Sequence, residues 1–203
     1  MENKKISASG YGFAIVSTAI FEQYLKENQI KEKKIISYFS KNNNAFYDLT
    51  AKGAFIPIHH LNYDRYSLYF SVGQFDERLL IDWNIIATWE DFNLKVDNSN
   101  FIWAIDFEEM EKWNISKLKK AGNFIESVYY DINDNEHIEY KAIKFILPEA
   151  KYNVKIYGLK RKIITEDGRE NYGFLAELIE TNELTSKIDI SEINFREIFK
   201  NDE

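Results

Sequence analysis

The fifteen residues Ile143–Tyr157, IKFILPEAKYNVKIY, consist of two alternating apolar and polar runs separated by Pro148, one of only two prolines in the chain. Successive side chains of a strand point to opposite faces, so Ile143, Phe145 and Leu147 form one apolar stripe and Tyr152, Val154 and Ile156 form another. Neither stripe is stable in water. With Pro148 presetting the turn, the segment is expected to be a core hairpin whose Lys144, Asn153 and Lys155 face solvent.

The same two-residue period recurs along the chain. Ile6 to Val16 reads as a first strand, with Gly10 and Gly12 permitting a bulge or close approach. A helix follows, carrying Ile20, Phe21, Tyr24 and Leu25 on one side with Ser17 or Thr18 as N-cap, and the tract Lys41-Asn42-Asn43-Asn44 is expected to be a loop. Ala54 to Ile58 holds Pro57, which cannot donate to a ladder, so this run belongs at a sheet edge or bulge. Tyr66 to Val72 is a half-buried strand. Leu79, Ile81, Trp83, Ile85, Ala87 and Trp89 are expected to share one face of a long strand, and Phe92 to Ile105 to form a hairpin turning at Asp97-Asn98-Ser99-Asn100. Asp106 with Glu109 resembles a capping box for a helix near Phe107 to Lys120. Strands return at Phe124 to Tyr130, His137 to Leu147, Lys160 to Ile164 and Tyr172 to Ile179, and Ser191 is expected to cap a terminal helix carrying Ile193, Phe195, Ile198 and Phe199. Many short strands with few helices predict a mainly β fold: a two-sheet antiparallel β-sandwich with a few peripheral helices. The expected organisation is a single domain, 1–203. It comprises N-terminal strand and helix elements at about 6–40, a sandwich core at about 53–180 and an acidic tail at about 181–203.

Composition narrows the chemistry. The chain has no cysteine, so a disulfide framework, a thiolate metal site and a thiol nucleophile are excluded. A net charge of −7 argues against direct nucleic-acid binding, which requires clustered Lys and Arg to neutralise phosphates. Acids outnumber bases from Ile163 onward, just after the basic run Lys151, Lys155, Lys160, Arg161 and Lys162. The N-terminal apolar patch is interrupted by Tyr11, Gly12, Ser17 and Thr18 and lacks the core of a secretory leader, and no segment is apolar enough for a helical membrane span. A cytoplasmic protein without membrane association is expected.

No catalytic motif stands out. There is neither a Gly-x-Ser-x-Gly elbow nor a phosphate loop, and Ser9-Gly10-Tyr11-Gly12 reads as close strand packing. His59 and His60 precede Asp64, but adjacent strand residues point to opposite faces and His137 is distant, so no metal site and no cofactor are assigned. Asp106, Glu108, Glu109 and Glu111 suit the start and outer surface of a helix, where they offset its dipole. Trp83, Trp89 and Trp103 alternate with aliphatics and read as core; Trp113 lies among charges.

The stretch Ile143–Tyr157, an apolar strand, Leu147-Pro148, a small turn at Ala150 and a strand starting at Tyr152, resembles a segment of the competence-protein-J-like nuclease inhibitors. The likeness extends over residues 53 to 157 through the order of Ala54–Ile58, Tyr66–Val72, the Leu79 region and Phe92–Ile105. It implies a β-sandwich and a class: small acidic proteins, including bacterial toxin immunity proteins, that neutralise a nuclease or other toxin by binding it without catalysis. An acidic surface can steer such a protein to a basic cleft. The candidate contact residues are the turn carboxylates Asp131, Asp134 and Glu136, and Glu166, Asp167 and Glu170. The alternatives are an enzyme or small-ligand or metal-binding protein with a pocket between the sheets, using His59 or His60 with nearby carboxylates, and a structural or assembly module.

Overall fold

The computed structural model describes residues 4–130, 132–165, 170–185, 188 and 192–200. Among these residues ten strands form two five-stranded sheets, and five short helices lie between them in sequence. In chain order the strands are β1 Lys4–Ser7, β2 Gly12–Val16, β3 Phe55–His59, β4 Arg65–Val72, β5 Trp83–Val96, β6 Phe101–Asp106, β7 Phe124–Tyr130, β8 Glu136–Ile146, β9 Ala150–Arg161 and β10 Tyr172–Thr181. The helices are α1 Thr18–Glu27, α2 Ile35–Phe39, α3 Asn43–Ala51, α4 Phe107–Met110 and α5 Ile115–Lys120. The first sheet runs β1-β4-β10-β9-β5 and the second β3-β2-β6-β8-β7. The expected two-sheet sandwich is present. One pairing departs from it, because β4 and β10 run parallel while every other pair is antiparallel.

Three local expectations fail for a common reason. Ile6 to Val16 is two strands, not one: β1 belongs to the first sheet and β2 to the second, with Tyr11 at φ 63° in the connection. Phe92 to Ile105 is not a hairpin, since β5 and β6 lie in different sheets, and the same is true of β8 and β9 around Pro148. The stripes Ile143, Phe145 and Leu147, and Tyr152, Val154 and Ile156, do point inward, but from opposite sheets into one core. The two turns that change sheet are tied together. Leu147 N donates to Asn100 O at 3.0 Å and Glu149 N to Asn100 Oδ1 at 2.9 Å.

The expected single face of Leu79 to Trp89 also breaks up. Glu77–Ile81 is a 3-10 turn, and register shifts in β5 between Ile85 and Ala87 and between Trp89 and Phe92 rotate the strand. Trp83 therefore packs on the outer face of the first sheet with Tyr69, Leu159 and Leu175, whereas Trp89 joins the inter-sheet core. Asn43 and Asn44 begin α3 instead of remaining in a loop, and the helix expected over Phe107 to Lys120 is split into α4 and α5, with Asn114 capping the second through Ser116 N at 3.0 Å. Pro57 sits on the edge strand β3, as its missing N–H requires. The helices cover the outer face of the second sheet, where Trp103, Phe55 and Ile105 meet Phe21, Phe39 and Leu49. Trp113 is buried there too, its Nε1 donating to Glu22 Oε1 at 2.7 Å.

The C-terminal stretch contributes to the core. Phe195–Phe199 is a 3-10 turn capped by Asn194, whose Oδ1 accepts from Arg196 N at 3.1 Å; the predicted cap Ser191 lies outside the described residues. Phe195 is fully buried, 4.7 Å from Trp89 and 6.1 Å from Phe92 between ring centres, and 5.7 Å from His59. Gly158 makes room for this plug, because a Cβ there would meet Ile198 Cγ2 at 2.5 Å and Trp89 at 3.1 Å. Phe195→Ala is expected to cost about 3–5 kcal/mol in urea unfolding, as other buried Phe truncations do; a loss under about 1 kcal/mol would show that the plug does not close the core.

Candidate interaction surface

The β7–β8 hairpin combines an exposed apolar face with a built polar root. Its root is set by a register shift: Ile125 pairs with Ala142 and Glu126 with Tyr140, which leaves Lys141 as the extra residue of β8. The extra residue lets the side chain of Lys141 turn toward the start of α4 beside the buried Ala142. Lys141 Nζ donates to Glu139 Oε2 and to Ser9 Oγ, each at 2.7 Å, and lies 3.5 Å from both Asp106 Oδ2 and Glu108 Oε2. Tyr63 OH donates to Glu139 Oε1, and Ser9 Oγ donates to Asp106. Asp106 also accepts from the backbone N–H of Gly10 at 3.1 Å and of Glu108 at 3.2 Å. Gly10 approaches so closely that a Cβ there would lie 2.6 Å from Glu108 N. The β1–β2 connection, the end of β6, α4 and β8 thus converge on one ammonium group, and the β3–β4 connection joins them through Tyr63 and Glu139.

The charges of this root are set by competition. Burial works against the charge of Lys141, yet the Glu139 hydrogen bond and the charges of Asp106, Glu139 and Glu108 outweigh it and raise its pKa. Burial likewise raises Glu139, but hydrogen bonds from Lys141 and Tyr63 hold it below the ordinary value. In Asp106 burial prevails over bonds from Ser9 and Gly10 and the nearby Lys141 charge, leaving its pKa raised. Glu108, more exposed, is lowered to about 2, first by Lys112 and then by Ser9. The Ser9–Lys141 contact has the spacing of a nucleophile and a base. An ammonium held protonated by carboxylates has no lone pair with which to take the serine proton, so this pair acts as a bolt between segments.

Beyond the root the hairpin carries its exposed face. Phe124, Glu126, Val128 and Tyr130 alternate with Ile125, Ser127 and Tyr129, so the four even-numbered residues share a face. That face is open: Phe124 is 49%, Val128 50% and Tyr130 63% exposed, and Ile138, opposite Val128, is 40% exposed. The cause is the offset of the sheets. β1, the edge of the first sheet, packs over β8, so β7 extends past it, and among the described residues no strand of the first sheet packs over β7 as β1 does over β8. On the other face the Tyr129 and His137 rings stack at 5.1 Å, stiffening the pair.

The predicted contact residues scatter. Asp134, at φ 60° in the hairpin turn, and Glu136, opposite Tyr130 in register, are exposed, and Glu136 Oε2 accepts from Tyr130 OH at 3.1 Å. Glu170 is held elsewhere: it bonds Lys5 and pairs with Arg65 at 3.1 Å, with its side chain only 16% exposed. Asp131, Glu166 and Asp167 lie outside the described residues. Sequence reading missed Glu126, Glu139 and Lys141. The last two were detectable, as opposite charges two apart on one strand face. His59 and His60 meet edge to face at 4.3 Å, while Asp64 is taken up by the backbone N–H groups of Arg65 at 2.7 Å and Glu170 at 3.3 Å. Among the described residues no group of three His, Asp or Glu is placed to hold a metal ion, and no helix is long and apolar enough to cross a membrane.

Lys141→Met leaves Asp106 and Glu139 without their cation and is expected to cost about 3–5 kcal/mol near pH 8. Carboxylates so stranded have raised pKa values, so the variant is stable when they are protonated and loses stability as pH rises through those values. The native Lys141 contribution runs in the same direction at a different pH: it is complete below the ordinary lysine value and is lost only in the alkaline range above about pH 10. The difference between variant and wild type in chemical unfolding should therefore shrink from about pH 8 to about pH 5; a difference constant with pH would contradict the assigned charges.

No protein-family model matches the sequence, and no curated protein matches it. Among solved structures the chain is similar to that of ComJ, inhibitor of the DNA degrading activity of NucA, from Bacillus subtilis. The TM-score is 0.43 at 8% identity, over 89% of this chain and 96% of that chain.

Proposed function

We propose that the protein is a non-enzymatic, cytoplasmic binding protein that inhibits a basic protein partner stoichiometrically, with the β7–β8 hairpin as its contact surface. The observation that carries this reading is the hairpin's exposed face, on which Phe124, Val128, Tyr130 and Ile138 are open to solvent. Clustered exposed apolar residues of this kind mark interaction sites, and Tyr is among the residues enriched at binding hot spots. The sign of the partner follows from charge. Residues 124–140 contain five carboxylates and no Lys or Arg. Glu126, Asp134 and Glu136 are exposed beside the apolar face, so a basic surface gains both steering and complementarity there. A nuclease or other toxin is the partner class that the resemblance of residues 53 to 157 implies, since a cleft built for phosphates is basic.

The test begins with capture from the native host and proceeds to titration of the captured basic protein. A nuclease should lose its activity linearly up to one equivalent of this protein. The triple variant Glu126→Gln, Asp134→Asn, Glu136→Gln should associate about 10-fold more slowly at low salt and show a flatter salt dependence. Tyr130→Ala should weaken binding by about 2 kcal/mol or more through faster dissociation. Unchanged association and affinity in both variants would remove the hairpin from the interface.

A further inference from the structure

We infer that the free edge of β7 is a strand-addition site, and that it takes an extended, basic segment of the partner as a sixth strand of the second sheet; this rests on the binding role proposed above and gives its mode. The two sheets have four edges, and three of them carry the features by which folded proteins discourage pairing with another chain. β1 carries Lys4 and Lys5; β3 contains Pro57; β5 is bent by two register shifts. β7 has none of these. It is seven residues long, FIESVYY, without proline, lysine or arginine, and the bulge of this hairpin lies on β8, leaving β7 regular. Its hydrogen-bonded neighbour is β8 on one side, and as the terminal strand of its sheet it presents the other side outward.

The side chains of β7 specify what such a strand carries. Directly opposite residues on paired strands interact across one face, so a strand laid along β7 meets Glu126, Val128 and Tyr130 at alternate positions. A basic residue opposite Glu126 and apolar residues opposite Val128 and Tyr130 match that row, which gives the segment a basic-x-apolar-x-apolar pattern. The same row argues against a second copy of this chain. Two-fold pairing of β7 with itself would bring acidic arms lacking Lys and Arg alongside each other, and like charges across a strand pair are destabilising.

The peptide Lys-Thr-Val-Thr-Val-Thr-Lys fits the pattern in either strand direction, and Glu-Thr-Val-Thr-Val-Thr-Glu is its charge-reversed control. With the full chain, the Lys peptide should slow hydrogen exchange of every second amide within Phe124–Tyr130 by about 10-fold or more at saturation, and the Glu peptide should not. Absence of that alternating protection with the Lys peptide would overturn strand addition. Should the captured basic partner still bind through Tyr130 in that case, the inhibitory reading stands and only its mode falls. Alternating protection by the peptide, with no basic partner found in the host, would keep the edge site and remove the inhibitory reading. Alternating protection in the chain alone, together with a dimer mass by light scattering, would overturn the assigned occupant.

Discussion

The rest of the structure depends on apolar stripes that face one another across the gap between two sheets. Each time the chain changes sheet, at residues 8–11, 60–64, 97–100 and 147–149, consecutive strands are placed on opposite sides of the same core. Phe13, Phe92, Tyr152, Phe174 and Phe195 fill that core, and no disulfide supports it. Sheets of equal strand number cannot bury every strand if they are offset. Here β1 ends the first sheet over β8, and the inner face of β7 is left open to water. The exposed apolar row is thus a consequence of where sheet packing stops.

A strand that overhangs its sandwich needs an anchor at its root. Lys141 provides it, joining Glu139 of its own strand to Ser9, Asp106 and Glu108 on other segments. Buried ion groups of this kind contribute little net stability compared with apolar packing, but removing one member leaves the others uncompensated. The arrangement therefore fixes position more than it adds stability. It holds the bulge at Lys141, and the bulge sets which residues of β8 lie opposite Glu126 and Val128.

Much of this was legible in the sequence, and the errors share a physical origin. The period of two located most of the strands, although the strand expected at Lys160 to Ile164 is the end of β9 and the bend after it, and Asp106 reads as a helix cap, which its bond from Glu108 N supports. Pro57 pointed to an edge. What the period cannot distinguish is a hairpin from a change of sheet, because both turn two apolar stripes toward one core. Ile143–Tyr157 met the first description and realises the second. The bulges of β5, which send Trp83 and Trp89 to opposite faces, depend on pairing with β9 and leave no local mark. Turn acidity drew attention to Asp134 and Glu136. It also drew attention to Glu170, whose partners Lys5 and Arg65 are distant in sequence. The exposed face of β7 was out of reach for a different reason: Phe124, Val128 and Tyr130 look like any buried stripe until the extent of the opposing sheet is known.

The absence of cysteine makes a direct test straightforward. Val128→Cys and Ile179→Cys each carry one environment-sensitive dye, the first on the overhanging strand and the second on β10 of the opposite sheet. Titrated with the basic protein captured from the host, the dye at 128 should shift and saturate at one equivalent while the dye at 179 stays unchanged. A response at 179 with silence at 128 would contradict the account.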